Sequence, residues 1–322
     1  MVNVFFKQQK FVIKKRFNDF NGFDFDIEEN EVLWFELINP TPNELATLSQ
    51  EYAIHYNTDH SQRVSSVTKY WEDSSSVTIN AFFTNQDENE TFHTEMATFI
   101  LSNNILFTIY YGTLEIFDSI QKKVLASPKK FEDGFDILTK IFEVYFEKGV
   151  ECLEWINKQT SLLRKNIIFK ETSTPTHENV LMRLSNLQEF NVALRDSFFD
   201  KRRIITALLR SNKVDSDTKN NLNIILTDFS SLVESTTVNL NSLDNIQNLF
   251  ASQVNVEQNK IIKLFTVATM AMMPPTLIGT IYGMNFKFMP ELEWQYGYFF
   301  ALIVMAISTI LPVIYFKKKG WL

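Results

Sequence analysis

Asn259, Ile262, Thr266, Thr269, Met273, Thr276 and Thr280 recur at steps of three and four residues. At 100° per residue a helix gathers all of them within an arc of about 100°. Asn241, Asp244, Asn248 and Asn255 extend the row toward the N-terminus, and Asn285 in "YGMN" lies just beyond its other end. Hydroxyls and amides with almost no charge are poor groups for stripping water from a tightly hydrated ion. They suit an ion that keeps its shell: Mg2+ dehydrates reluctantly, so neutral oxygen acceptors can recognise it through its waters. Asn285 would then bond ion-bound water without the trapping that a fixed negative charge causes.

The stripe requires a helix long enough to carry it through a bilayer. Leu264–Phe286 and Trp294–Phe316 are uncharged, and each would be about 34 Å long as a helix, enough for a hydrocarbon core of about 30 Å. Residues 287–293 are too few for a domain, so the two spans form a hairpin. Lys260 and Lys263 precede the first span and Lys317, Lys318 and Lys319 follow the second; the positive-inside rule therefore predicts both termini in the cytosol. Trp294, Tyr296 and Tyr298 at one end and Tyr315 and Trp321 at the other match aromatic belts. Small polar residues also pack helices against each other in membranes, and spacing alone leaves pore lining and packing equally open. One chain with two spans cannot enclose a channel, so pore lining requires a ring of copies.

The remainder reads as soluble. "VLWFEL" (Val32–Leu37), "SVTINAFF" (Ser76–Phe83), "EMATFIL" (Glu95–Leu101) and "ILFTIYY" (Ile105–Tyr111) are strand-like, and Thr41, Pro42 and Glu44 spell a capping box that opens a helix. Residues 1–113 are thus expected to be a mixed α/β domain. A short helix from Leu114 to Ala126 follows, then helices over Phe131–Phe169, Val180–Asn212 and Thr218–Asn285. This divides the rest into a helical hairpin region (114–217), a stalk (218–263), the first span (264–286), a loop (287–293), the second span (294–316) and a basic tail (317–322).

Asp136, Glu143, Glu147, Glu151 and Glu154 share one helix face, read as a solvated surface ahead of a cation-attracting one. The net charge of −7 argues against a nucleic-acid partner. His55, His60, His93 and His177 are not at metal spacing and are expected in loops or on the surface. No phosphate loop, acid–base pair or nucleophile constellation is evident, so neither an enzyme nor an organic cofactor is expected. Cys152 has no partner for a disulfide.

"YGMNF" closing an uncharged run, "MPEL" in a short hairpin, a second span and "KKKGWL" together resemble the CorA magnesium-channel family. The likeness is dense from about Asn255 onward and rests on element order before that. It implies a funnel-shaped homopentamer in the cell (inner) membrane, with an α+β cytosolic domain, a long helical stalk and two transmembrane helices. It also implies passive Mg2+ uptake driven by membrane potential, with Co2+ or Ni2+ as further cargo. Gly283, Met284 and Asn285 become the selectivity filter. An ungapped count back from them puts the family's pore-facing positions at Thr276, Met273, Phe265, Ile262 and Asn259, with Ile262, Phe265 and Met273 as a hydrophobic gate. Regulation by cytosolic Mg2+ through stalk acids is implied as well. The count lands on Ile224, one turn before Asp228, which is nominated as the regulatory ligand. The adjacent Pro274 and Pro275 depart from the family's single proline and point to a sharper kink. A zinc-transporting branch of the same superfamily and a non-conducting membrane-anchored sensor or scaffold are the competing readings.

Overall fold

The computed structural model describes residues 1–20, 23, 32–54, 70–87, 91–169, 177–287, 289–290 and 293–321. The chain divides into two compact units, one comprising Met1–Asn166 with Lys170–Asp244 and the other Ile167–Phe169 with Asn245–Leu322.

The first unit is built on a seven-stranded sheet. Its strands are β1 (Val2–Gln8), β2 (Phe11–Phe17), β3 (Val32–Ile38), β4 (Tyr70–Glu72), β5 (Ser76–Gln86), β6 (Phe92–Ser102) and β7 (Ile105–Tyr110), in the order β2-β1-β3-β7-β6-β5-β4. Only β3 and β7 pair in parallel. One face is covered by α1 (Pro42–Glu51), whose Leu45 and Leu48 join Phe35, Phe107 and Ile109 in the core. The predicted capping box is present: the Thr41 hydroxyl accepts from the Glu44 amide at 3.3 Å, and the Glu44 carboxylate accepts from the Thr41 amide at 2.6 Å. Two orphan amides at the helix start are thereby satisfied.

Against the other face lie α2 (Glu115–Ala126), α3 (Gly134–Phe169) and α4 (His177–Arg210). Phe117 of α2 stacks on Tyr110 with centroids 4.6 Å apart, and Trp34 stacks on Phe5 at 4.4 Å. Past the end of short β4 the free edge of β5 is completed by helix side chains. Asp200 accepts from the Phe82 amide at 3.1 Å, Ser197 donates to the Phe82 carbonyl at 2.7 Å, and the Tyr145 hydroxyl accepts from the Thr84 amide at 3.0 Å. Edge groups that would otherwise be buried without partners are satisfied in this way. Gly149 lets α3 approach its neighbours, since a Cβ there would lie 2.8 Å from Phe198 and 2.9 Å from Leu232.

Three of the expected strands run longer than their sequence limits, and the fourth, β7, ends one residue earlier, at Tyr110. The helix expected from Phe131 starts instead at Gly134, because Asp133 stands outside it and accepts from the amides of Phe135 and Asp136. The helix expected over Val180–Asn212 begins earlier and ends at Arg210. The glutamates of α3 have lysine company: Glu143 meets Lys140, Glu151 meets Lys148, and Glu147 meets Lys123 of α2. The solvated-surface reading of that face therefore stands, and no cluster of metal-ligating side chains occurs among the described residues. His93 is exposed on β6 beside Asp87 at 3.6 Å; His55 and His60 lie outside the described residues.

Glu36 on β3 is fully buried. Burial pushes its pKa up, opposed by hydrogen bonds from Asn3 and Tyr110, by the charge of Lys14 and by a hydrogen bond from Gln121. The native state thus holds the Glu36 proton more tightly than the unfolded chain does. Its contribution to stability is greatest in acid and declines as pH rises from about the ordinary value of 4.5 through the raised native value. Thermal unfolding of the wild type between pH 5 and pH 7 is expected to show a fall in stability that Glu36→Gln lacks. The same variant is expected to lose about 1–3 kcal/mol at the acid end, because its amide cannot accept from all three donors.

The second unit contains the C-terminal part of α5 (Ser216–Tyr282, 67 residues) and α6 (Gly297–Lys318). Both helices are long and apolar enough to cross a membrane. Asp215 precedes α5 and accepts from the Thr218 amide at 3.2 Å, which explains a start slightly before the expected Thr218. The helix ends at Tyr282 rather than Asn285, because the chain turns at Gly283.

Candidate functional site

The stripe is positioned by the helical continuity of α5. Val267 and Ala271 are buried, and Ile278 and Tyr282 are half-buried. At 100° per residue these four stand about 180° from the centre of the threonine stripe. Near that packed side Gly279, Tyr282 and Gly283 share a groove of about 410 Å3 with Trp294, Tyr298 and Met305. A Cβ on Gly279 would lie 3.6 Å from the Met305 methyl carbon.

The stripe itself has no partner among the described residues. Ile262, Phe265 and Met273 are 61%, 67% and 65% exposed, and Asn259, Thr269, Thr276 and Thr280 are exposed beside them. Thr269, Met273, Thr276 and Thr280 border a single shallow concavity. Three apolar side chains of that size are left for lipid or for another copy of the chain to cover.

Each threonine of the span uses its proton inside the helix. The hydroxyls of Thr266, Thr269, Thr276 and Thr280 donate to the carbonyls of Ile262, Phe265, Met272 and Thr276 at 2.8, 2.9, 2.7 and 2.5 Å. A hydroxyl has one proton and two lone pairs; with the proton committed to the backbone four residues earlier, the oxygen faces outward only as an acceptor. The stripe is therefore a column of acceptors broken by bulky apolar groups. Pro274 and Pro275 lie within the helix, which continues through both. Lacking N–H groups, they leave the Met270 and Ala271 carbonyls without their usual helical partners.

At the end of the column the Gly283 amide donates to the Gly279 carbonyl at 3.0 Å and the Met284 amide to the Ile281 carbonyl at 3.2 Å. A Cβ on Gly283 would lie 3.1 Å from the Gly279 oxygen, a tight contact that a larger residue would have to relieve by a small shift. Met284 is 45% exposed. Asn285 follows in irregular exposed backbone, and its amide makes no hydrogen bond with another described residue.

The polar row preceding the span is more varied. Asn241, Asn248 and Asn255 are exposed, whereas Asp244 accepts from Gln188 of α4 at 3.0 Å. Asp228 is half-buried on α5 and Ile224 is 63% exposed. No basic side chain pairs with Asp228 among the described residues, and it belongs to no cluster of three or more metal-ligating side chains there. Sequence spacing finds the column but misses the direction of its hydroxyls, which only backbone geometry fixes.

The model of the CorA-like Mg2+ transporter protein family matches residues 29–318. The magnesium transport protein CorA of Helicobacter pylori (strain ATCC 700392 / 26695) is 97% identical over 322 residues, covering 100% of both chains. The magnesium transport protein CorA of Campylobacter jejuni (strain RM1221) is 49% identical over 333 aligned positions, again covering 100% of both. Among solved structures, the complete CorA magnesium transporter of Methanocaldococcus jannaschii superposes with a TM-score of 0.81 at 18% identity, covering 100% of this chain and 99% of that one. That likeness concerns the fold: an α+β domain, a long helix and two apolar C-terminal helices. With a family model spanning most of its length and full-length relatives at this identity, the chain belongs to the CorA-like Mg2+ transporter family.

Proposed function

We propose that this chain is one subunit of a passive Mg2+ uptake channel in the cell (inner) membrane, a homo-oligomer of pentameric order with both termini in the cytosol. The observation that carries the reading is the acceptor-only column on the side of α5 away from its buried face, ending near the unbonded amide of Asn285. Water bound to a cation points its hydrogens outward, so a hydrated ion is a cluster of donors and needs acceptors around it. Neutral acceptors bind such a cluster loosely enough for release, which conduction requires. The names of its relatives and family support Mg2+ as cargo, and Co2+ or Ni2+ would pass by the same shell-mediated recognition.

In this proposal residues 1–113 form the cytosolic α/β domain, 114–217 a helical region and 218–263 the stalk. The spans cover 264–286 and 294–316, with 287–293 outside and 317–322 inside. Gly283, Met284 and Asn285 form the filter; Asn259, Thr266, Thr269, Thr276 and Thr280 line the path; Ile262, Phe265 and Met273 close it. Inward flow needs no nucleotide, because a divalent ion gains about 4.6 kcal/mol per 100 mV of inside-negative potential. Potential-dependent Mg2+ flux into proteoliposomes tests the reading. A zinc transporter would prefer Zn2+ and respond to a proton gradient, and a scaffold would pass neither ion.

Closure by cytosolic Mg2+ is assigned to bridging between subunits, since Asp228 belongs to no cluster of three or more metal-ligating side chains among the described residues. A bound cation holds acidic surfaces together, and its loss lets them repel. Asp228→Asn is expected to raise the half-inhibiting cytosolic Mg2+ concentration about tenfold, the effect of losing one charge-assisted contact. Inhibition curves from inside-out patches check this, and an unchanged curve would move the sensor to another residue.

A further inference from the structure

The first unit contains a pocket of about 160 Å3 where Gln86 of β5 and Phe92 of β6 meet α3 and α4. Its floor is aromatic. Phe92 stacks on Phe190 with centroids 5.4 Å apart and planes at 27°, and Trp155 presents itself edge-on to Phe190 at 6.0 Å and 77°. Besides Thr91, whose hydroxyl donates to Asp87, the polar lining comes from Gln86, Gln159, Arg183 and Asn186. None of these four pairs with another described residue, although each carries donors able to reach the same space.

No carboxylate lines the pocket. Of the described acids adjacent in sequence to lining residues, Glu154 and Glu189 are exposed, and Asp87 is engaged in its own turn, where it accepts from the Thr91 amide at 2.9 Å and the Thr91 hydroxyl at 2.5 Å. The pocket therefore joins one guanidinium, several uncommitted amides and a flat apolar floor. Its volume is well below the roughly 300–1,000 Å3 typical of drug-sized sites, which limits an occupant to about one ring.

We propose that this pocket binds a small planar carboxylate. The guanidinium of Arg183 offers a fork matched to two carboxylate oxygens, the amides bond the remaining lone pairs, and the ring lies against Phe92, Trp155 and Phe190. The site is independent of the ion path and stands whether or not the chain conducts Mg2+.

Benzoate serves as the probe, titrated calorimetrically into the purified full-length oligomer, with acetate and inorganic phosphate as separate arms. Saturable binding of one benzoate per chain is expected, with acetate and phosphate at least about tenfold weaker because neither uses the aromatic floor. Arg183→Gln, a change at an exposed side chain, is expected to weaken benzoate at least about tenfold, and Asn186→Trp to block it. Three results would overturn the proposal. They are no saturable binding at millimolar benzoate, as when a second copy covers the pocket; an affinity unaltered by Arg183→Gln; or phosphate binding as tightly as benzoate.

Discussion

Asn285→Ala is expected to lower potential-driven Mg2+ uptake by about a hundredfold or more while the oligomer still assembles. A hydrogen bond to a charged partner is worth about 1.5–3 kcal/mol, and every tenfold change corresponds to about 1.4 kcal/mol. Losing one such bond from each of several subunits exceeds a hundredfold even if the ring acts at only partial strength. The side chain is exposed and unbonded, so its truncation leaves no packing defect to confuse the result. Flux of radioactive or dye-reported Mg2+ into liposomes, alongside size-exclusion of the solubilised protein, separates selectivity from assembly. Undiminished flux would remove Asn285 from the filter.

Met273→Ser is expected to raise basal conductance about tenfold in the presence of cytosolic Mg2+. Met273 is 65% exposed on the threonine side of α5, among hydroxyls that accept. Brought together by symmetry as proposed, such side chains would form a narrow apolar ring that excludes water and with it a hydrated ion. A serine lets water in. Its hydroxyl also has a ready backbone acceptor four residues earlier, so the helix should tolerate it. Single-channel recording in planar bilayers reads the open probability, and an unchanged value would assign closure to Ile262 and Phe265 alone.

Much of the architecture is legible in the residues because local chemistry and tertiary context agree. Thr41, Pro42 and Glu44 announce α1, and two uncharged runs separated by a short loop announce the apolar helices. The N-terminal hairpin is not legible: Gln9 adopts a positive φ of 53° between β1 and β2, a conformation usually marked by glycine or asparagine, and neither is present. β4 has only three residues, too few for alternation to register. Glu36 sits in what reads as a continuous apolar strand, and the partners that make it tolerable come from 33, 74 and 85 residues away. The helix overruns in the sequence reading because Gly283, which stops α5 at Tyr282, is compatible with either outcome until the turn itself is seen.

The committed threonine protons also bear on what the proposed path refuses. A Grotthuss relay needs links that take a proton on one side and hand one on at the other, then rotate back. Thr266, Thr269, Thr276 and Thr280 are each anchored to a carbonyl one turn earlier, and every rotation would break an anchor worth about 1 kcal/mol. Such a column can wet a metal ion without itself serving as a proton wire, so that in the proposed path any proton relay would have to run through the enclosed water and not along the wall.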